Sequence, residues 1–288
     1  MRLAAPGWHA GGMLRPFRQV DVFTSEPYRG NPLAVVLAAE GLSDEAMQRF
    51  ANWTNLSETT FVLPPAAPGA DYRVRIFTPG TELPFAGHPT LGTCHAWLEA
   101  GGQPARADVI TQECGAGLVR IRREPGGLAF AAPPLLRDGP VDEPLLARIA
   151  AALGIARADI VDASWADNGP GWVAVLLASA EAVLALGPGR VGFDLGVVGP
   201  YPPGSPCAFE VRAFAGPAED PVEDPVTGSL NAAIAPWLLR TGRAAAPYVV
   251  SQGTVLGRAG RVRVSQDDAG TIWVGGSIVT CVTGHAGL

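Results

Sequence analysis

A histidine, two carboxylates and a serine in this 288-residue chain lie where the sequence turns from polar to apolar. His88 sits in Glu82-Leu-Pro-Phe-Ala-Gly87-His88-Pro, directly before an apolar stretch that reads as a helix. Asp224 and Ser229 sit in Glu223-Asp224-Pro-Val-Thr-Gly228-Ser229, before a second such stretch. Backbone N–H groups at a helix start lack intrahelical acceptors and carry the positive end of the helix dipole, so they bind anions such as a carboxylate. Two starts that converge would hold a small acidic molecule and stabilise an enolate-like charge on it. His88, Asp224 and Ser229 add acid, base and hydrogen-bonding groups at the same place. Taken singly, Asp224 and Ser229 read as helix caps and His88 as a locally bonded ring. Their recurrence at matching points of two segments favours chemistry.

Glu58 is the third element, in Asn55-Leu-Ser-Glu58-Thr-Thr-Phe-Val. A carboxylate entering an apolar strand is costly unless it is paired or neutral. Burial raises its pKa towards neutrality, where it both takes and gives protons. The alternative is a strand-edge glutamate in solvent.

These residues must be positioned by elements that occur twice. Tyr-Arg-Val-Arg-Ile-Phe at 72–77 and Phe-Glu-Val-Arg-Ala-Phe at 209–214 align with Val74 on Val211, 137 residues on. Gly87 then meets Gly228, 141 residues on. Upstream, Gly-Asn-Pro at 30–32 resembles Asn-Gly-Pro at 168–170, each followed by an apolar run. On this spacing the counterpart of Glu58 falls near Leu195, so only one copy carries that acid. Each copy predicts strand, turn, strand, helix, two strands, polar loop and a central helix. In the first copy the expected helices cover 43–53, capped by Ser43, and 89–99, opened by Pro89 and closed by Gly101-Gly102. The second helix is apolar or small almost all round, as a helix enclosed by strands would be. The fold class expected is α+β: two pseudo-symmetric domains, each a mainly antiparallel curled sheet around one helix, with a cleft between the helix starts. The expected boundaries are 16–133 and 134–288, with the last strand (275–282) free to return to the first domain. Residues 1–15 read as a loose tail, with Met13 as a second possible start.

Composition narrows the chemistry. Every one of the 21 basic residues is arginine. Without lysine there is no pyridoxal phosphate Schiff base, lysine imine, Walker A loop or Ser-x-x-Lys acyl enzyme. A net charge of −6 without a basic cluster argues against nucleic acid as a partner. No run of eighteen apolar residues predicts a membrane span, and the first dozen residues do not read as a signal peptide. The four cysteines form no CxxC pair, so neither a zinc site nor a disulfide framework is expected, and buried free thiols in a reducing cytoplasm are. His88 and His95 could share a helix face but lack the carboxylate spacing of a metal motif. No cofactor fingerprint is present.

The ordered set Gly30-Asn-Pro-Leu-Ala-Val-Val, Ser57-Glu58-Thr-Thr-Phe, Phe85-Ala-Gly-His88-Pro-Thr-Leu-Gly and Glu223-Asp224-Pro-Val-Thr-Gly-Ser229 resembles the PhzF family of phenazine-biosynthesis-like isomerases, from about residue 17 to the 270s. The resemblance implies the diaminopimelate epimerase-like fold, commonly as a homodimer. It also implies a cofactor-free isomerase that moves a proton between carbons of a small unsaturated acid. Carried over, Glu58 matches the proton-shuttling glutamate; His88, Asp224 and Ser229 match groups around the substrate; Gly87 and Gly228 supply close backbone approach. The epimerases and proline racemases of that fold use a thiol in each half, whereas the corresponding loop positions here hold Ala86 and Pro225. The substrate expected is a small anionic metabolite. Two rivals stand beside this: an amino-acid epimerase using Glu58 and Asp224 as opposed oxygen bases, and a catalytically silent binding protein that keeps the cleft.

Overall fold

The computed structural model describes residues 13–187, 191–216 and 222–288. In the first half, β1 (Leu14–Val22) and β2 (Asn31–Val36) lead to α1 (Asp44–Thr54), then β3 (Glu58–Leu63), β4 (Tyr72–Phe77), β5 (Glu82–Leu83) and α2 (Gly87–Glu99). β6 (Val109–Cys114), β7 (Gly117–Glu124) and β8 (Gly127–Ala131) complete it. A connection of β9 (Arg137–Gly139) and α3 (Glu143–Leu153) leads into the second half. There β10 (Ile160–Asp167), β11 (Val173–Leu177), α4 (Ala180–Leu184), β12 (Leu195–Pro200), β13 (Phe209–Ala215) and β14 (Val222–Asp224) precede α5 (Gly228–Arg240). β15 (Tyr248–Gln252), β16 (Gly260–Gln266), β17 (Ile272–Gly276) and β18 (Ile278–Gly287) end the chain.

The α+β class holds, and the two halves repeat one wiring. β2 and β3 run parallel, as do β11 and β12, while β4 and β6 match the parallel pair β13 and β15. The remaining pairs within each half are antiparallel, and β8 pairs antiparallel with β17 to join the halves. α2 and α5 are each sunk in a curled sheet. Leu91, Cys94 and Ala96 of the first, and Leu230, Ala232, Ala233, Ile234 and Ala235 of the second, are fully buried. Removing these apolar faces from water is what holds sheet and helix together. α1 instead lies outside its sheet, covering Phe61 and Phe77 through Met47 and Ala51. Ser43 caps it by accepting from the Ala46 N–H.

The tail expected over 1–15 is shorter than read. Residues 1–12 lie outside the described residues, but Leu14 and Arg15 already pair with Gly287 and Ala286 of β18. Arg15 is 7% exposed and bonds the Ala38 carbonyl. The pairing partner is the far end of the chain, so no local pattern announces it. β18 runs antiparallel along β1, placing the last strand in the sheet of the first half.

The register also corrects the repeat. Arg75 pairs with Glu82, and Arg212 with Glu223, so Phe77 corresponds to Phe214. Thr59 lies opposite Phe77 and Leu195 opposite Phe214. Leu195 therefore matches Thr59, and Asp194 matches Glu58. Both halves carry a carboxylate at this turn, because the second copy is one residue shorter there than a constant offset assumes. Burial, followed by the charge of Asp167, raises Asp194 to about 6.

Candidate active site

α2 and α5 meet end to end at Gly87 and Gly228. A Cβ built on Gly87 would come within 3.0 Å of the Gly228 backbone and 2.8 Å of Phe130, and one on Gly228 within 3.1 Å of the Gly87 backbone. Only hydrogen fits at this crossing. The helices start at Gly87 and Gly228 with Ala86 and Thr227 as N-caps, and neither start has a side-chain cap bond. Pro89 is thus the third helical residue rather than the first. The loop residue structurally matched to Ala86 is Thr227, not Pro225, and neither half has a thiol at its cap. Two uncapped helix starts leave N–H groups and dipole ends directed at one region.

Glu58 opens β3 beside this crossing, its side chain 15% exposed, with Oε2 3.4 Å from His88 Nε2. Both atoms are buried and lack a hydrogen-bond partner. Burial first, and the charge of Asp224 second, raises Glu58 to about 8. Burial lowers His88 to about 3, with the Pro32 backbone carbonyl opposing it, so the ring is neutral near pH 7. Asp224 is raised to about 6 by burial, while hydrogen bonds from Thr227 (2.6 Å) and Asn31 (2.8 Å) favour its charged form.

Asn31 ties the group together, and the residue-level reading of the sequence gave it no role. It is fully buried in the first half, yet its Nδ2 donates to Asp224 Oδ1 and to the Val226 carbonyl (2.9 Å) of the second, and lies 3.4 Å from His88 Nδ1. The Gly30-Asn31-Pro32 motif was the available signal. The turn is fixed by Asp21, whose Oδ2 accepts from the Gly30 N–H at 2.9 Å. Gln252, also fully buried, holds the opposite loop by accepting from the Thr227 N–H (3.0 Å) and donating to Thr227 Oγ1 (2.9 Å).

Glu58, His88 and Asp224 thus form one continuous cluster through Asn31, with Gly87 and Gly228 in contact beside it. The Ser229 hydroxyl does not join the cluster; it accepts from the Trp172 indole N–H at 3.2 Å. Two surface depressions of about 520 and 600 Å³ lie elsewhere, against α1 and at the far end of α2, and neither is lined by Glu58, His88 or Asp224. Among the described residues no group of three or more His, Cys, Asp or Glu is placed to hold a metal ion. No described helix is long and apolar enough to cross a membrane.

The family model for phenazine biosynthesis-like proteins, PhzC-PhzF, matches residues 20–285. The chain is 37% identical to antisense-enhancing sequence 1 of Schizosaccharomyces pombe, over 94% of this chain and 98% of that one. It is also 37% identical to the trans-2,3-dihydro-3-hydroxyanthranilate isomerase of Pseudomonas aeruginosa, over 87% and 90% of the two chains. The crystal structure of a PhzF-family phenazine biosynthesis protein from Bacillus anthracis superposes with a TM-score of 0.81, covering 96% of this chain and 100% of that one at 24% identity.

Proposed function

Since the chain belongs to the PhzC-PhzF family of phenazine biosynthesis-like proteins and is an isomerase, we propose that it relocates a proton between carbons of a small unsaturated carboxylic acid, with Glu58 as the shuttle. The observation that carries this reading is the Glu58 carboxyl itself: raised to about 8, with Oε2 unpartnered and facing a neutral imidazole where two uncapped helices meet. A base whose pKa lies near the working pH is strong enough to take a carbon-bound proton and weak enough to return it.

In this mechanism ionised Glu58 removes a proton from one carbon, and the electrons released spread into the conjugated acid. The helix starts at Gly87 and Gly228 face the developing negative charge. Protonated Glu58 then delivers the proton to a second carbon on the same face. Neutral His88 faces the carboxyl with Nε2 at 3.4 Å without adding a charge, and Asn31 keeps Asp224 at a fixed distance. Dry surroundings preserve the raised pKa through the cycle.

The relatives' trans-2,3-dihydro-3-hydroxyanthranilate is the first substrate to offer, as one member of the class. Incubation in D2O with mass spectrometry and chiral analysis of the product tests the reaction. A shifted double bond supports the proposal, and an unchanged compound removes that substrate. Asp194, standing where the first half has Glu58, favours a second reading as a two-base epimerase. Inversion at one carbon with the double bonds retained would select it.

A further inference from the structure

Gln252, at the end of β15, has both polar atoms of its amide engaged twice. Oε1 accepts from the Thr227 N–H and from Asn231 Nδ2, each at 3.0 Å. Nε2 donates to the Asp224 carbonyl at 3.2 Å and to Thr227 Oγ1 at 2.9 Å. A backbone N–H only donates and a carbonyl only accepts, so the loop itself fixes which end of the amide carries the hydrogens. One of those hydrogens occupies a lone pair of Thr227 Oγ1, and the Thr227 hydroxyl donates in turn to Asp224 Oδ2 at 2.6 Å. An N-cap threonine ordinarily turns its oxygen to the first N–H groups of its helix, yet Thr227 makes no such bond to α5. The first half has no matching amide. Gln252 lies opposite Val211, and the corresponding position of β6, next after Gln112 and Glu113, is Cys114, which bonds the Gly117 carbonyl of its own turn. The amide stands in the half that carries Asp224.

We infer that Gln252 is a positioning residue for Asp224: it holds the Thr227 side chain away from the start of α5, so that the hydroxyl proton goes to Asp224 Oδ2. This rests on the reading of Glu58 as the shuttle, because the charge so placed is the one that acts on Glu58. Asp224 then has one donor from each half, Thr227 on Oδ2 and Asn31 on Oδ1 at 2.8 Å. Both bonds favour its charged form against burial, which raises it to about 6. The other acids that act on it are Glu58 from β3 and Glu223 from its own strand, and His88 from α2 is neutral. A change at Gln252 leaves all three in place.

Carbon-13 NMR of the aspartate carboxyls reads the effect without a substrate, with Asp224→Asn identifying the resonance. Gln252→Met keeps the length of the side chain but removes its N–H groups and carbonyl. Asp224 should then titrate about half to one pH unit higher, the size of one hydrogen bond. Thr227→Val should raise it at least as much, and the double variant no further, because both changes remove the same donor. Thr227→Ser, which keeps the hydroxyl, should stay at the wild-type value. If Gln252→Met does not fold, wild type answers: the Gln252 amide proton directed at Thr227 should shift in step with the Asp224 titration, and Thr227→Val should abolish that shift. A merely structural Gln252 would leave Asp224 unmoved or add its effect to that of Thr227→Val. Either result, or a Gln252 amide proton indifferent to Asp224, overturns the inference and leaves the shuttle reading standing. The shuttle reading fails separately, on an unshifted double bond in the substrate.

Discussion

Replacing Asp224 by Asn should lower the pKa of Glu58 while leaving the site assembled. Asn keeps the shape, and its oxygen can still accept from Asn31 Nδ2, 2.8 Å away. Its new N–H₂ faces the Thr227 hydroxyl, which can turn from donor to acceptor. The change is therefore one of charge. The contacts from Glu58 to His88 (3.4 Å), across the ring, on to Asn31 (3.4 Å) and to Asp224 (2.8 Å) bound the carboxylate separation. Allowing about 2.2 Å across the imidazole, the two carboxylates lie within about 12 Å of each other. At that limit, with an effective dielectric near 20, two unit charges interact by about 1.4 kcal/mol, or about one pKa unit, and by more if they are closer. Glu58 should therefore move from about 8 to about 7 or below. It stays above its ordinary value of 4.5 because burial is the larger cause. Carbon-13 NMR of glutamate carboxyls reads this without a substrate, with Glu58→Gln identifying the resonance. Titration of Glu58 near 4.5 in wild type, or an unmoved value near 8 in Asp224→Asn, would refute the electrostatic reasoning.

The remaining predictions concern packing and stability. Gly228→Ala should lose both stability and activity, because its Cβ would press on the Gly87 backbone at 3.1 Å; calorimetric melting should show at least about 1–3 kcal/mol of overpacking. The Arg212–Glu223 pair is 2% and 11% exposed, and Arg212 also serves the Leu186 carbonyl, so Arg212→Met should cost about 3–5 kcal/mol in urea unfolding. The matching Arg75–Glu82 pair has a glutamate 42% exposed, and Arg75→Met should cost about 1 kcal/mol or less. Glu58 is raised in the folded chain, so its stabilisation is complete below 4.5 and is lost as pH rises through about 8. Glu58→Gln should therefore remove roughly 3–5 kcal/mol of the fall in stability between those limits, and an equally steep fall in the variant would contradict it.

Much of the fold is written locally. Ser43 with Asp44 and Glu45 marks the start of α1, and the apolar-all-round pattern of 91–98 announces a helix enclosed by strands. The paired Val-Arg strands announce the repeat. Contacts that depend on distant sequence are not written this way. Leu14 and Arg15 look like tail until β18 lies beside them. Asn31 before Pro32 reads as an ordinary turn, and its partner Asp224 is 193 residues away. Asp194 hides behind a one-residue slip that only strand register exposes. Ser229 reads as a cap or a substrate group, and its bond to Trp172 requires the turn at 168–172 to lie against the start of α5.

The account stands or falls on proton movement through Glu58. The direct measurement is double-bond migration, with any deuterium uptake from D2O, in small-acid metabolites, including trans-2,3-dihydro-3-hydroxyanthranilate, incubated with wild type and with Glu58→Gln. Wild type should shift the double bond of one compound, taking up deuterium at carbon only as far as the Glu58 proton exchanges with solvent, and the variant should do neither. An undiminished double-bond shift with Glu58→Gln would contradict the account.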